Sequence, residues 1–194
     1  MVWPCAIPFF KEYIMPLPRS FYERDTLTVA RDLLGKILRF NGKSAVIVET
    51  EAYLGSRDKA AHTYKRKSER TQSLFGKKGV SYIYIIYGMY NCLNIATGID
   101  GECVLIRALM DVDLPHNTYS GPGKLTREMG ITREHNGYDL CDGIFTIEDN
   151  PSPTNYKITT TPRVGIDYAE EFKEMPWRFL YKDCPYTSKP KFKS

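Results

Sequence analysis

Short apolar runs, separated by polar and glycine-containing segments, recur along the whole chain. One run has helical spacing, with Leu27, Ala30 and Leu34 placed between Asp25 and Gly35. Aspartate is a favoured N-cap and glycine a favoured stop, so this segment is predicted to form a short helix. Most of the other apolar runs are rich in β-branched and aromatic residues, which predicts strands.

A hairpin is predicted around Asn41-Gly42, which stands between the apolar runs 36–40 and 43–54. Asn-Gly between two such runs is the strongest short-range hairpin signal.

Residues 82–90 are aromatic and β-branched, carry Gly88 near their end and are followed by residues 91–97. This pattern predicts a second hairpin or a sharply bent strand. Further strands are predicted at 103–109, 144–147 and 163–166, and further helices at 124–129 and 169–173. The elements together predict an α+β fold with a mainly antiparallel sheet.

The chain has 194 residues without an internal repeat or linker, which predicts one domain, placed at residues 15–194. Residues 1–14 contain Pro4 and Pro8 and lack a basic segment, so they are predicted to be an N-terminal extension rather than a signal peptide. The Pro- and Lys-rich tail at 182–194 is expected to be mobile.

Composition narrows the class of protein. Hydrophobic residues make up 42% and charged residues 26%, which excludes a disordered chain, and the net charge of +4 permits a polyanionic partner without requiring one. No apolar run reaches the roughly 18 residues of a membrane helix, so no membrane role is expected. The five cysteines form no C-x-x-C pair and the three histidines are scattered. Neither a disulfide framework nor a metal site is therefore predicted, and reduced thiols inside the cell are expected.

Two carboxylates interrupt the predicted strand 43–54. Because side chains alternate along a strand, Glu49 and Glu51 share one face with Ile47 and Tyr53. A buried carboxylate is costly unless it is paired, and such conflicts often mark functional sites. The alternatives are that this face meets solvent, or that one glutamate pairs with a structural arginine.

Arg107 is the matching exception in the apolar run 103–109. An arginine in a buried strand needs a carboxylate partner or a ligand. Two interpretations stand at this point: a structural ion pair, or an arginine that faces Glu51 across a pocket.

Several tyrosines surround the Gly88 bend. Tyr82 and Tyr84 are predicted to project to one side of their strand, whereas Tyr87 and Tyr90 flank the glycine. Core packing is one interpretation. The other is a surface that stacks on nucleic-acid bases or wedges between them.

Basic residues cluster in the segment 62–78, where six lysines and arginines against one glutamate give a net charge of +5. The segment lacks apolar periodicity and is predicted to be a long loop, either simply solvated or in contact with phosphates. At the predicted helix start, the turn 121–123 and Lys124 could also offer donors to a phosphate.

Several segments in order resemble the alkyladenine (3-methyladenine) DNA glycosylases, over residues 16–181. The matching segments are 49–55 (ETEAYLG), 60–62 (AAH), 82–90 (YIYIIYGMY), Asn94, 104–108 (VLIRA), 121–125 (GPGKL) and 163–169 (RVGIDYA). The resemblance implies a single domain with a curved sheet, surrounding short helices and a protruding β-hairpin. It also implies a monofunctional enzyme that flips alkylated or deaminated purines out of duplex DNA and hydrolyses their glycosyl bond.

The resemblance implies specific roles for residues of this chain. Glu51, with Arg107, would hold and activate the water that attacks C1′ of the flipped nucleotide. Tyr53, His62 and Tyr84 would form the walls of the base pocket. Positively charged methylated purines stack well on tyrosine, and a nearby carboxylate stabilises the oxocarbenium character of the sugar.

The remaining implied roles concern selectivity and DNA contact. Asn94 would exclude guanine by clashing with its exocyclic amino group, and Tyr87 would be the wedge at the hairpin tip in the minor groove. Further DNA contacts are expected from Met89, Tyr90, Arg70 and Lys124. No cofactor or metal is expected. A monomer is expected, in the cytoplasm and nucleoid of a prokaryote or the nucleus of a eukaryote.

Two other functions compete with this hypothesis. A non-catalytic nucleic-acid-binding module would use the tyrosines as a stacking platform and leave Glu51 and Arg107 without a role. A carbohydrate hydrolase would use Glu49 and Glu51 as an acid/base pair, although two residues on one strand face would hardly flank a scissile bond.

Overall fold

The computed structural model describes residues 15–65 and 67–189 of the chain, so the predicted extension at 1–14 lies outside the described residues. The described residues form three α-helices, several 3₁₀ turns and eight strands. The helices are α1 Arg19–Tyr22, α2 Thr26–Asp32 and α3 Pro122–Met129; the strands are β1 Ile37–Phe40, β2 Lys43–Leu54, β3 Ser81–Ile86, β4 Tyr90–Ala96, β5 Glu102–Met110, β6 Thr146–Glu148, β7 Ile158–Thr161 and β8 Arg178–Tyr181.

The strands pair antiparallel in one curled, branched sheet. Its main path runs in the order β3-β4-β5-β2-β1-β6, and β8 branches from β2 to pair with β7. The predicted α+β class with a mainly antiparallel sheet is therefore confirmed.

Strand β2 pairs with three other strands, which places it at the centre of the sheet. One edge pairs with β5 along most of its length, while the other pairs first with β1 and then, from Glu49 to Glu51, with β8. The β2–β5 register is irregular on either side of Glu49, opposite Ala108. A local irregularity of this kind bends a strand and re-aims its side chains. The sheet thus branches and bends where the two glutamates lie.

The main core fills one side of the sheet. It packs α2 and α3 against alternate strand residues, among them Ile83, Leu93, Val104 and Ile106, all 3% exposed or less. A smaller cluster lies around Tyr82, formed mainly by the strand residues whose side chains point to the other face of the sheet. Both faces of the central strands are therefore covered, which explains the nearly continuous burial of β5.

Both predicted hairpins are present. Asn41 and Gly42 have φ of 52° and 72°, the pair of positive values that a two-residue hairpin turn needs, and they join β1 to β2. The second turn joins β3 to β4 through Tyr87, Gly88 and Met89, so this segment is a hairpin rather than a bent strand.

The predicted first helix is also confirmed. Asp25 accepts a hydrogen bond from the backbone N–H of Thr28, which caps α2. The helix then ends before Gly35, whose φ is 88°. Strand β2 occupies the predicted residues 43–54, and α3 begins two residues earlier than predicted.

Three predictions at the C-terminal side are wrong. Residues 163–166 form a loop rather than a strand, and 169–173 contribute to a 3₁₀ turn at Glu170–Glu174 rather than an α-helix. The first part of the predicted mobile tail, up to Ser188, packs against the rest of the protein, since Cys184, Tyr186 and Ser188 are all buried. Strands β7 and β8 were not predicted.

Among the described residues, the structure has no helix long and apolar enough to cross a lipid bilayer.

Candidate active site

One line of cross-strand partners places the candidate residues on a single sheet face. Glu51 of β2 pairs with Leu105 of β5, Leu105 with Asn94 of β4, and Asn94 with Tyr82 of β3. Directly opposed residues of an antiparallel sheet point to the same side. This face is the one opposite the main core.

Glu51 is completely buried, which excludes the alternative that its face meets solvent. Its Oε1 accepts a hydrogen bond from the Val164 backbone N–H at 2.8 Å. Its Oε2 accepts one from the Tyr53 hydroxyl at 2.9 Å and one from Arg107 Nη1 at 3.3 Å. An ionised carboxylate can accept about four hydrogen bonds, so the structure leaves it capacity for one more.

Arg107 lies between the two glutamates. Its Nε donates to Glu49 Oε1 at 2.8 Å, and its Nη1 reaches Glu51 at the longer distance of 3.3 Å. Burial alone would lower the pKa of Arg107, but the carboxylates of Glu51 and Glu49 outweigh it and raise the pKa above its usual value. Arg107 is therefore ion-paired, as the first interpretation expected, and it contacts Glu51 directly rather than across a pocket.

Glu49 has a different environment from Glu51. It accepts hydrogen bonds from Arg107, from Arg178 Nε at 2.7 Å, and from the Ser188 backbone N–H and hydroxyl at 2.6 and 2.7 Å. Four protein donors thus bind the Glu49 carboxylate, three of them at Oε1, and its side chain has no exposed surface. The alternative of an acid/base pair made of Glu49 and Glu51 lacks support, because Glu49 is buried and held by two guanidinium groups and by Ser188.

The loop that carries Val164 is fixed by a neighbouring ion pair. Arg163 binds Asp58 through two hydrogen bonds and donates a third to the Ala52 carbonyl at 2.9 Å. Its guanidinium carbon also lies 4.6 Å from the centre of the Tyr53 ring, a cation–π distance. Arg163 thereby anchors both the amide and the hydroxyl that bind Glu51.

An aromatic group stands next to the carboxylates. The His62 ring meets the Tyr84 ring edge-to-face with 4.5 Å between centres, and His62 Nδ1 lies 2.9 Å from the Tyr82 hydroxyl. The Arg70 guanidinium carbon lies 5.4 Å from the Tyr84 ring centre. Tyr53 and Tyr84 both pack against the small cluster that contains Tyr82. Three of the predicted pocket residues are therefore brought together.

The pKa values of this group favour neutral side chains. Although part of His62 is exposed, the burial of its imidazole and the charge of Arg70 lower its pKa to about 4. Burial raises the pKa of Tyr82 to about 12 and that of Tyr84 well above its ordinary value. The aromatic group therefore presents a neutral histidine and protonated phenols at neutral pH.

Asn94 is 2% exposed and lies on the same face. Its side-chain nitrogen donates to the carbonyls of Tyr82 and Cys92, at 3.2 and 3.3 Å. These contacts fix the orientation of the amide.

Among the described residues, no three histidine, cysteine, aspartate or glutamate side chains are grouped so that they could hold a metal ion.

The match to known proteins covers most of the chain. Residues 20–185 match the family model of methylpurine-DNA glycosylase (MPG). The chain belongs to this family. It is therefore a DNA glycosylase, a hydrolase of N-glycosyl bonds that acts in DNA repair, as the sequence resemblance implied.

Individual relatives agree with the family model. The chain is 47% identical to a protein of Alkaliphilus oremlandii, over 90% of this chain and 100% of the relative. It is 48% identical to one of Methanocella arvoryzae, over 89% and 96%, and 45% identical to one of Bacillus cereus, over 90% and 100%. All three are provisionally named 3-methyladenine DNA glycosylases.

The hairpin of this methylpurine-DNA glycosylase family member carries an exposed apolar tip. Tyr87 is 82% exposed and has a φ of 53°, Met89 is 69% exposed, and Tyr90 is 45% exposed. Tyr90 packs beside Gly123 of α3, where an added Cβ would lie 2.9 Å from Tyr90 Cβ. The tyrosines thus differ in position: Tyr82 and Tyr84 lie on the sheet face of Glu51, and Tyr87 is exposed at the turn.

The basic segment is less uniform than its composition suggests. Lys65 and Arg70 are exposed, whereas Lys78 is buried and pairs with Asp100 at 3.0 Å. Lys124 donates to the Asn117 carbonyl at 3.2 Å, a contact apart from the pocket residues.

Sequence reasoning missed three residues around the glutamates: Arg163, which anchors the loop of Val164, and Arg178 and Ser188, which complete the buried network of Glu49, Glu51 and Arg107. Arg178 carries the same signal as Arg107, an arginine within a short apolar run, here 178–181. The contribution of Ser188 had no local signal, because its partner Glu49 is 139 residues away.

Proposed function

We propose that this glycosylase excises alkylated or deaminated purines, of the 3-methyladenine, 7-methylguanine and hypoxanthine type, from duplex DNA. It hydrolyses the glycosyl bond, leaves an abasic site and does not cleave the strand. The observation that carries the proposal is the shared sheet face, on which a buried, hydrogen-bonded Glu51 stands beside the His62–Tyr84 aromatic group.

Base capture is assigned to the aromatic group. A purine can leave the helix and stack between Tyr53, His62 and Tyr84, whose rings attract the positive charge of a methylated purine. Since His62 is neutral, it does not repel such a cation. The charge of Arg70 beside Tyr84 does, so we expect Arg70 to move toward the DNA backbone when the base enters.

The chemical step is assigned to Glu51. A methylated purine departs with little acid assistance, and the sugar develops positive charge that the carboxylate stabilises. Glu51 also accepts a proton from the water that attacks C1′, with Arg107 holding the carboxylate in place. Because Glu51 has no exposed surface, the attacking water reaches it only after a local movement of the side chains around it.

The partners of Glu51 support hydrolysis without strand cleavage. Cleavage of the strand requires an amine nucleophile that forms a Schiff base. In the described part of the chain, Glu51 contacts Tyr53, Val164 and Arg107, and no lysine is among them.

Selectivity and DNA contact are assigned to the surrounding residues. Asn94 excludes the exocyclic amino group of guanine. Tyr87 fills the gap that the flipped nucleotide leaves, from the minor groove, with Met89 and Tyr90 beside it. Arg70 and Lys124 contact phosphates, and the protein acts as a monomer.

A direct test incubates the protein with duplexes that carry hypoxanthine, a methylated purine or only undamaged bases. Alkali then converts abasic sites into strand breaks. We expect breaks in the damaged duplexes after alkali treatment and intact strands without it. Intact strands in all damaged duplexes after alkali would contradict the proposal, and breaks without alkali would contradict the monofunctional mechanism. The alternative of a non-catalytic stacking module predicts binding without any breaks.

A further inference from the structure

The segment 184–188 joins the sheet through a pattern of alternating burial. Cys184, Tyr186 and Ser188 are 8% exposed or less, whereas Pro185 between them is exposed. Tyr186 and Cys184 belong to the main core. The segment thereby places Ser188 against Glu49 of β2, where β8 branches from the sheet.

Ser188 contacts every charged group of the buried network except Glu51. Its N–H and hydroxyl donate to Glu49 at 2.6 and 2.7 Å, its hydroxyl accepts from Arg107 Nη2 at 3.3 Å, and its carbonyl accepts from Arg178 Nη2 at 3.1 Å. Ser188 therefore links charged side chains of three different strands, β2, β5 and β8.

The network balances two carboxylates against two guanidinium groups, all 7% exposed or less. Arg107 is shared, at 2.8 Å from Glu49 and 3.3 Å from Glu51. The shorter contact fixes where the guanidinium stands, and Glu49 is fixed in turn by Arg178 and Ser188. The contact of Arg107 with Glu51 thus depends on groups that never touch Glu51.

We propose that Glu49, Arg178 and Ser188 are positioning residues that hold Arg107 against Glu51, so that the C-terminal segment belongs to the catalytic apparatus. This inference rests on the proposed function of Glu51. Since these three residues are buried, they do not contact DNA, and their replacement is expected to change the chemical step rather than DNA binding.

Ser188→Ala is the variant that tests the proposal. It removes one donor from Glu49 and one acceptor from Arg107, and it leaves the backbone contacts in place. Thr187→Ala is the matched control, because the Thr187 hydroxyl binds the Cys184 carbonyl at 2.9 Å within the same segment and does not touch the network.

The measurements separate chemistry from binding. For each variant, the single-turnover rate of hypoxanthine release at saturating protein is compared with the Kd for a duplex that contains an abasic site. A thermal melt with a midpoint well above the assay temperature shows that each variant is folded during the assay.

We expect Ser188→Ala to lower the single-turnover rate about 10- to 100-fold, because a misplacement of about 1 Å can cost on the order of 100-fold. Its Kd should equal that of wild type, and Thr187→Ala should match wild type in both quantities. Glu49→Gln should lower the rate further, again without a change in Kd.

Three results would overturn the inference. The first is a Ser188→Ala variant that releases hypoxanthine as fast as an active wild type; this result would leave the proposed function intact. A second is an equal loss of rate in Thr187→Ala, which would show a general effect of the segment. The third is a wild type that releases no base, which would overturn the proposed function as well.

Discussion

Arg163 and Asp58 form an ion pair through two hydrogen bonds, Nη1–Oδ2 at 2.5 Å and Nη2–Oδ1 at 2.9 Å, with no exposed side-chain surface on either residue. Asp58 lies in the turn after β2, and Arg163 lies in the loop 162–166. The pair therefore holds this loop against β2, and Val164, the residue after Arg163, donates its N–H to Glu51. A buried charge left without its partner is strongly unfavourable.

Asp58→Asn is therefore expected to lower the free energy of unfolding by about 3–5 kcal/mol, because it leaves the Arg163 charge buried and uncompensated. Urea denaturation measures this change. Asp32→Asn is the matched control, since it breaks the exposed pair with Arg24 and should cost less than about 1 kcal/mol. Equal losses for the two variants would contradict the assignment of Arg163–Asp58 as an anchor.

The parts of the fold that the sequence predicted are those with local causes. The hairpin at Asn41-Gly42 follows from two residues that tolerate a positive φ, and α2 follows from the Asp25 cap. The conflict between carboxylates and an apolar strand likewise pointed to Glu49, Glu51 and Arg107 as unusual positions, and the structure brings their side chains into contact.

The parts that were missed depend on distant contacts. Strand β7 is a run of threonines at the sheet edge, and β8 is four residues long and gains its place by pairing with β2. The ordered segment up to Ser188 is held by Glu49 and by core packing, neither of which a Pro- and Lys-rich composition indicates.

A titration of His62 tests the electrostatics of the pocket. Its pKa is about 4, so the neutral form persists at all higher pH values. NMR of the ring protons should show no inflection of His62 above about pH 5. Arg70→Gln removes a nearby positive charge that disfavours the imidazolium, so it should raise the pKa of His62. An inflection near the ordinary value of 6.5 in wild type would contradict the predicted environment.

The wedge assignment is tested by Tyr87→Ser. The side chain is 82% exposed, so its removal should leave the melting temperature unchanged. Binding to a duplex with an abasic site should weaken by about 1–3 kcal/mol, the usual contribution of one stacking contact. Ile144→Ser is the control, because Ile144 is 77% exposed and lies outside the hairpin. The assignment fails if both variants bind like wild type.

The basic segment is tested by the salt dependence of DNA binding. Each phosphate contact that is lost should reduce the slope of log K against log[salt] by about 0.9. Lys65→Ala removes an exposed charge beside His62 and should show this reduction. Lys59→Ala should not, because Lys59 already pairs with Glu170 and Glu171. Identical slopes for wild type and Lys65→Ala would remove Lys65 from the interface.

The central claim is that Glu51 activates the water. Its most direct test is the single-turnover rate of hypoxanthine release by Glu51→Gln, measured beside its affinity for the same duplex. Glutamine keeps the shape of the side chain but cannot take up a proton, so we expect the rate to fall by about 10²- to 10⁴-fold while the affinity is retained. Release at the wild-type rate by a folded, DNA-binding Glu51→Gln variant would contradict the assignment of Glu51 as the general base.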